Sequence, residues 1–208
     1  GLPACWDVAR VGWHADAGTD AGLVAVAARG ARNGWAVGFA ATGRNLRPVS
    51  MRWDGTRWRS VSVPWTGRPE TLTDVAIGHD GVPWAVGYRM TARGPDPLVA
   101  TFRAGRWRAS VLPLARGRFG ALDAVDVGRD GTVWAAGWSG DGGPTTPLVL
   151  RRSGGRWATI HPGGGTGVAT DLVVRDDGPV VIAGMTHTGT ADHAIAWDGG
   201  PDEIGRAH

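Results

Sequence analysis

Residues 82–88 read VPWAVGY, and nearly the same phrase occurs as GWAVGF at 34–39 and VWAAGW at 133–138. A worn copy, VVIAGM, stands at 180–185. Anchored on Trp35, Trp84, Trp134 and Val181, the copies are 49, 50 and 47 residues apart. A steady period of this size signals a repeat architecture whose unit is one supersecondary motif. Twelve residues before each anchor stands Leu23, Leu72, Leu122 or Ala169, opening the apolar patterns LVAVAA, LTDVAI, LDAVDV and ATDLVV. A turn pair then intervenes: Asn33-Gly34, Asp80-Gly81, Asp130-Gly131 or Asp177-Gly178. Such pairs suit tight hairpins because both central residues tolerate positive φ. Each unit therefore opens with two antiparallel strands.

A third apolar segment follows in each unit: RPVSMRW (47–53), PLVATF (97–102), PLVLRR (147–152) and HAIAW (193–197). Short turns, DGTR (54–57), AGR (104–106) and SGGR (153–156), lead to a fourth strand that opens on Trp. These fourth strands are WRSVSV (58–63), WRASVL (107–112) and WATIH (157–161). The last unit shows no such strand after Trp197, whereas WDVARV (6–11) precedes Leu23 as WRSVSV precedes Leu72. An N-terminal strand that completes the last unit would close a ring and remove its exposed edges. The expectation is an all-β chain: a four-bladed β-propeller forming a single domain over 1–208. Blade 1 spans about 22–63, blade 2 about 71–112, blade 3 about 121–161, and blade 4 about 168–198 plus strand 6–11.

The WAVG phrase and the segment WDGTRW (53–58) resemble tryptophan-rich secreted repeat proteins of actinobacteria. More loosely they resemble Asp-box propellers of the sialidase-like and photosystem-assembly-like kinds. Asp54, Gly55, Thr56 and Trp58 approximate the Asp-box pattern Ser-x-Asp-x-Gly-x-Thr-Trp. The resemblance implies a propeller and a secreted location, and says little about the ligand.

Composition agrees with a strand-and-turn protein. The 208 residues include 35 Gly and 12 Trp but only three Phe and one Tyr. No run of 18 apolar residues is present, so no transmembrane segment is expected. A lone cysteine, Cys5, cannot form a disulfide within the chain. All 22 basic residues are Arg, and the net charge is only +3. A basic balance of this size permits an anionic-polymer partner without demanding one. The rim residues Arg57, Arg59, Arg106, Arg108 and Arg156 read as charges that discourage edge-to-edge pairing. Without aromatics placed for bases, no nucleic-acid partner is expected.

Nine Trp fall on repeat columns and read as wedges between blades. Trp13, Trp65 and Trp138 do not. The links after each second strand (40–46, 89–96, 139–146, 186–191) and between units (12–21, 64–70, 113–119, 162–167) vary in length. Alternating strand direction sends both sets to one face, and loops on a rigid scaffold are where binding resides. The candidate ligand-binding residues are therefore Trp13, Phe39, Trp65, Tyr88 and Trp138, with Asp16, Asp96 and Asp141 as polar partners. Aromatic faces with nearby acids suit a glycan, so a secreted, lectin-like carbohydrate-binding module leads. A protein-interaction scaffold, as a subunit of a secreted complex, is the alternative, since Trp, Tyr and Arg also make protein hot spots. Only two Glu occur, Glu70 and Glu203, and the His spacing matches no zinc signature. No catalytic residues, no cofactor and no metal are expected, and the chain reads as a non-enzyme.

Overall fold

The computed structural model describes residues 20–43, 45–162, 165–176, 179–188, 191–199 and 204–206. Among the described residues sixteen strands form four antiparallel sheets of four, each in simple chain order. The first sheet holds β1 (Asp20–Ala28), β2 (Gly34–Thr42), β3 (Asn45–Trp53) and β4 (Trp58–Val61). The second holds β5 (Glu70–Ile77), β6 (Pro83–Thr91), β7 (Gly94–Arg103) and β8 (Arg106–Val111). The third holds β9 (Phe119–Val127), β10 (Val133–Gly140), β11 (Thr146–Ser153) and β12 (Arg156–Ile160). The fourth holds β13 (Gly167–Val174), β14 (Val180–Thr188), β15 (Ala191–Gly199) and β16 (Ile204–Arg206). The repeat read from WAVG is thus four propeller-like blades. Among the described residues no helix is long and apolar enough to cross a membrane.

The glycine of the repeated phrase has a steric cause. The first strand of every blade carries a β-bulge opposite it, at Leu23/Ala25, Leu72/Asp74, Leu122/Ala124 and Ala169/Asp171. The bulge drives a carbonyl onto the second strand. A Cβ on Gly38, Gly87, Gly137 or Gly184 would lie 1.9, 2.0, 2.1 or 2.2 Å from the oxygen of Gly22, Thr71, Ala121 or Val168. Only a residue without a side chain fits there. This explains why the worn copy VVIAGM loses its Trp and keeps its Gly.

Each blade packs on the next through alternating residues. Trp35 and Val37 of β2 meet Leu98, Ala100 and Trp107 of the second blade. The Trp35 and Trp107 rings meet edge to face at 5.1 Å, and Trp107 Nε1 donates to Ser50 Oγ at 2.9 Å across the boundary. Trp84 meets Trp157 edge to face at 6.3 Å, and the Arg152 guanidinium lies 4.9 Å from the Trp84 ring. Trp134 joins Ile182 and Trp197 in the core between the third and fourth blades. The face that meets the following blade is called leading here, and the opposite face trailing.

Two expectations are corrected. The fourth blade does have its own fourth strand, because β16 pairs with β15 in the register Trp197↔Arg206 to Gly199↔Ile204. The edge reserved for strand 6–11 is occupied there by the C-terminal segment, and residues 6–11 themselves lie outside the described residues. The first strands also do not complete a circle. β1 packs on β5, β5 on β9 and β9 on β13, but among the described residues β13 and β1 have no comparable packing. The exposures agree: Leu23 and Val26 are 44% and 67% exposed, while their equivalents Leu72 and Val75 are 0% and 4%. Among the described residues the blades form an open arc.

The turns also differ from expectation. In the Asp-Gly pairs 80–81 and 130–131 only the glycine takes positive φ, with the aspartate capping the turn instead. Positive φ at both residues occurs in the two-residue turns Ala104-Gly105 and Gly154-Gly155. Each pair lies in a five-residue loop, 78–82 or 128–132, closed by the Gly78 or Gly128 N–H on the Val82 or Thr132 carbonyl, so the aspartate is not a central residue of a two-residue turn.

Candidate functional site

First strands begin where second strands end, as the pairs Glu70↔Arg89, Phe119↔Gly140 and Gly167↔Thr186 show. The interblade links and the second-to-third turns therefore share one face, as the alternation of strands requires. The second-to-third links prove shorter than the sequence suggested. β2 and β3 pair out to Thr42↔Asn45, β6 and β7 to Thr91↔Gly94, and β14 and β15 to Thr188↔Ala191. Among these links only 141–145 remains a longer loop, so the face owes most of its relief to the interblade links.

The aromatic candidates do not form one ring. Phe39 and Tyr88 come together in an apolar pocket of about 330 Å³ with Val24, Leu46, Leu72 and Thr73. Trp65 turns back on its own link, donating from Nε1 to the Arg68 carbonyl at 2.5 Å. It sits at the outer rim of the first blade beside Arg47 and Ser62. Trp138 packs edge to face on Phe119 at 6.2 Å. Asp96 lies within β7, half-buried, and Asp141 accepts the Gly143 N–H at 3.4 Å within its own loop. Trp13 and Asp16 lie outside the described residues.

Glu70, one of the two Glu in the sequence, is fully buried in a clamp. Its Oε1 accepts Thr66 Oγ1 at 2.5 Å and Arg89 Nε at 2.7 Å. The clamp ties the interblade link to β6, which fixes where the face begins. Its burial withholds this carboxylate from any ligand on the face.

The larger opening lies between the second and third interblade links. It is a cleft of about 520 Å³, with Pro113, Leu114 and Ala115 on one side and Arg118, Thr146, Thr159 and His161 around it. A groove of about 250 Å³ on the other side of the same link is lined by Arg93, Asp96, Arg116 and Arg118. Arg118 belongs to both. Its Nη2 donates to Ser139 O at 3.1 Å, Ser139 Oγ at 3.0 Å and Thr146 Oγ1 at 2.7 Å, which anchors the guanidinium. Its Nε and Nη1 have no bond among the described residues. Among the described residues no carboxylate pairs with Arg93, Arg116 or Arg118, whereas Arg57 and Arg59 both lie against Asp54. The sequence places 113–119 among the variable interblade links but gives its arginines no partner, because Ser139 and Thr146 come from elsewhere in the chain. Its one signal was the Arg-Gly-Arg at 116–118.

By sequence, no family model and no curated protein matches the chain. Solved structures do resemble it. An ulvan lyase, a polysaccharide lyase, matches with a TM-score of 0.61 at 13% identity, over 91% of this chain and 54% of its own. A protein of unknown function from Dyadobacter fermentans matches with a TM-score of 0.59 at 11% identity, over 83% of this chain and 59% of its own. A candidate glycosidase from Bacteroides thetaiotaomicron matches with a TM-score of 0.52 at 13% identity, over 89% of this chain and 71% of its own. The chain thus spans little more than half the length of the first two. At such identities the likeness is one of fold, and the fold is β-propeller-like. It corrects the reading of the chain as a non-enzyme, because lyase and glycosidase structures are built on the same architecture.

Proposed function

We propose that this protein binds an acidic carbohydrate in the two openings flanking the link 113–118. The observation that carries the reading is Arg118. It is anchored by Ser139 and Thr146 through one nitrogen and shared by both openings, and among the described residues neither Arg93 nor Arg116 beside it forms an ion pair. A planar guanidinium with free donors matches a carboxylate or sulfate. Pro113, Leu114 and Ala115 offer an apolar wall for a sugar ring, and Thr146, Thr159 and His161 offer hydroxyl partners. A cleft of about 520 Å³ is in the usual range for a small-molecule or oligomer subsite. The reading gains support from an ulvan lyase structure of the same fold bound to -[GlcA(1-4)Rha3S]-, an acidic chain.

Calorimetric titration with uronic-acid and sulfated oligosaccharides, against neutral ones of equal length, tests this. Acidic oligosaccharides should bind more tightly, with affinity that falls as salt rises. Arg93→Ala and Arg116→Ala change exposed side chains and should each weaken binding about tenfold, the size of one charge-assisted hydrogen bond. Equal affinity for neutral sugars, or no binding to any glycan, overturns the proposal.

A further inference from the structure

The two ends of the arc carry the two halves of one blade boundary. On the leading face of the fourth blade Val173 is 52% exposed, and Asp171, Ala183 and Ala196 are exposed with it. On the trailing face of the first blade Leu23 and Val26 are exposed. Equivalent trailing residues in the other blades, Leu122 and Val125 among them, are buried against a neighbour.

The match goes beyond apolar surface. Ala25, Asp74, Ala124 and Asp171 occupy one register position, opposite Val37, Val86, Ala136 and Ala183. Where the second blade meets the third, Asp74 Oδ1 accepts the Val75 N–H of its own strand and Oδ2 accepts the Val125 N–H of the next, both at 2.7 Å. The receiving strand has Ala124 and cannot cap Val125 itself. At this position the first blade is like the third, with Ala25 before Val26, though the third also has Asp126 bridging the Val127 and Val174 N–H groups where the first has Ala27; no side chain among the described residues caps the Val26 N–H. The fourth blade is built like the second. Asp171 Oδ1 accepts the Leu172 N–H at 2.8 Å, and Oδ2 has no partner among the described residues. The leading face of the fourth blade therefore has the chemistry that the trailing face of the first requires.

Among the described residues of one chain these faces do not meet. We propose that they meet between chains. A second copy of this chain docks head to tail on each end, and two arcs close a two-fold ring of eight blades. Both apolar ends are then covered and no open end remains, as closed symmetry requires. Eight is within the usual blade number of propellers. The greater length of the solved chains sharing the fold also fits four blades being part of a larger ring.

Native mass spectrometry of the full chain should give twice the mass of one 21.7 kDa chain. Asp171→Ala should weaken the dimer about tenfold, and Asp171→Asn, which keeps an acceptor, should weaken it less. Two single-cysteine chains, Val26→Cys and Val173→Cys, each also carrying Cys5→Ser, should cross-link when mixed through a short bismaleimide. Neither should cross-link alone. Circular dichroism checks that each variant is folded. A monomer at tens of micromolar, no cross-link in the mixture, or cross-linking within one doubly substituted monomer overturns the proposal.

Discussion

A methyl group on Gly87 would sit 2.0 Å from the Thr71 carbonyl oxygen, which belongs to backbone and cannot swing away. Gly87→Ala should therefore destabilise the fold by about 3 kcal/mol, the upper part of the usual cost of overpacking, as read by urea denaturation. At Ala104 the sign is opposite. Its φ of 51° holds an L-residue in the left-handed region. Ala104→Gly relieves about 1 kcal/mol of that strain and loses part of it to unfolded-chain entropy, so a net gain of about 0.5 kcal/mol is expected in the same measurement. Ser50→Ala strips the buried Trp107 Nε1 of its acceptor across the first boundary. That should cost about 1–3 kcal/mol, the price of an unsatisfied buried donor.

At the scale of strands and turns, charge decides how the hairpins respond to acid. Asp54 is held far below the ordinary value of 3.8 by Thr56, whose hydroxyl bonds it, and then by Arg59 and the Thr56 and Arg57 N–H groups. Asp130 is lowered in the same way by Thr132. A lowered carboxylate contributes stability that is present above pH 3.8 and lost as pH falls through its folded value. Asp74 and Asp123 are raised by burial, so their contribution runs the other way and is lost as pH rises through the folded value. Asp54→Ala should lower the unfolding free energy at neutral pH. The gap from the parent chain should close as pH drops below 3.8 in chemical denaturation at stepped pH. The hairpins themselves were legible from Asp-Gly and Gly-Gly pairs. Their type was not, because the Asp-Gly pairs at 80–81 and 130–131 lie in five-residue loops rather than two-residue turns. β16 was missed because Ile204–Arg206 lacks the Trp that opens every other fourth strand described.

For the whole molecule, stability runs along the arc through nearest neighbours. The second and third blades each have a partner on both faces, while the first and fourth have one. Hydrogen exchange of the dilute chain should show the slowest amides in β6 and β10 and the fastest in β1 and β16. Uniform protection across all four blades at low concentration would contradict this. The blade count was legible because the glycine and its bulge recur in every copy, Trp or no Trp. The site was less so. Trp65 and Trp138 were visible as departures from the repeat, but their partners, the Arg68 carbonyl and Phe119, are set by link conformations. Arg118 acquires its meaning only through Ser139 and Thr146, which sit on two other strands or their edges.

The alternation of aspartate and alanine at positions 25, 74, 124 and 171 bears on how such a chain can have grown. Duplicating one unit would set two donors or two receivers side by side, leaving a carboxylate idle or a peptide group bare. Duplicating an adjacent pair keeps every interface intact. The lineage of this protein is thus expected to have lengthened by twos.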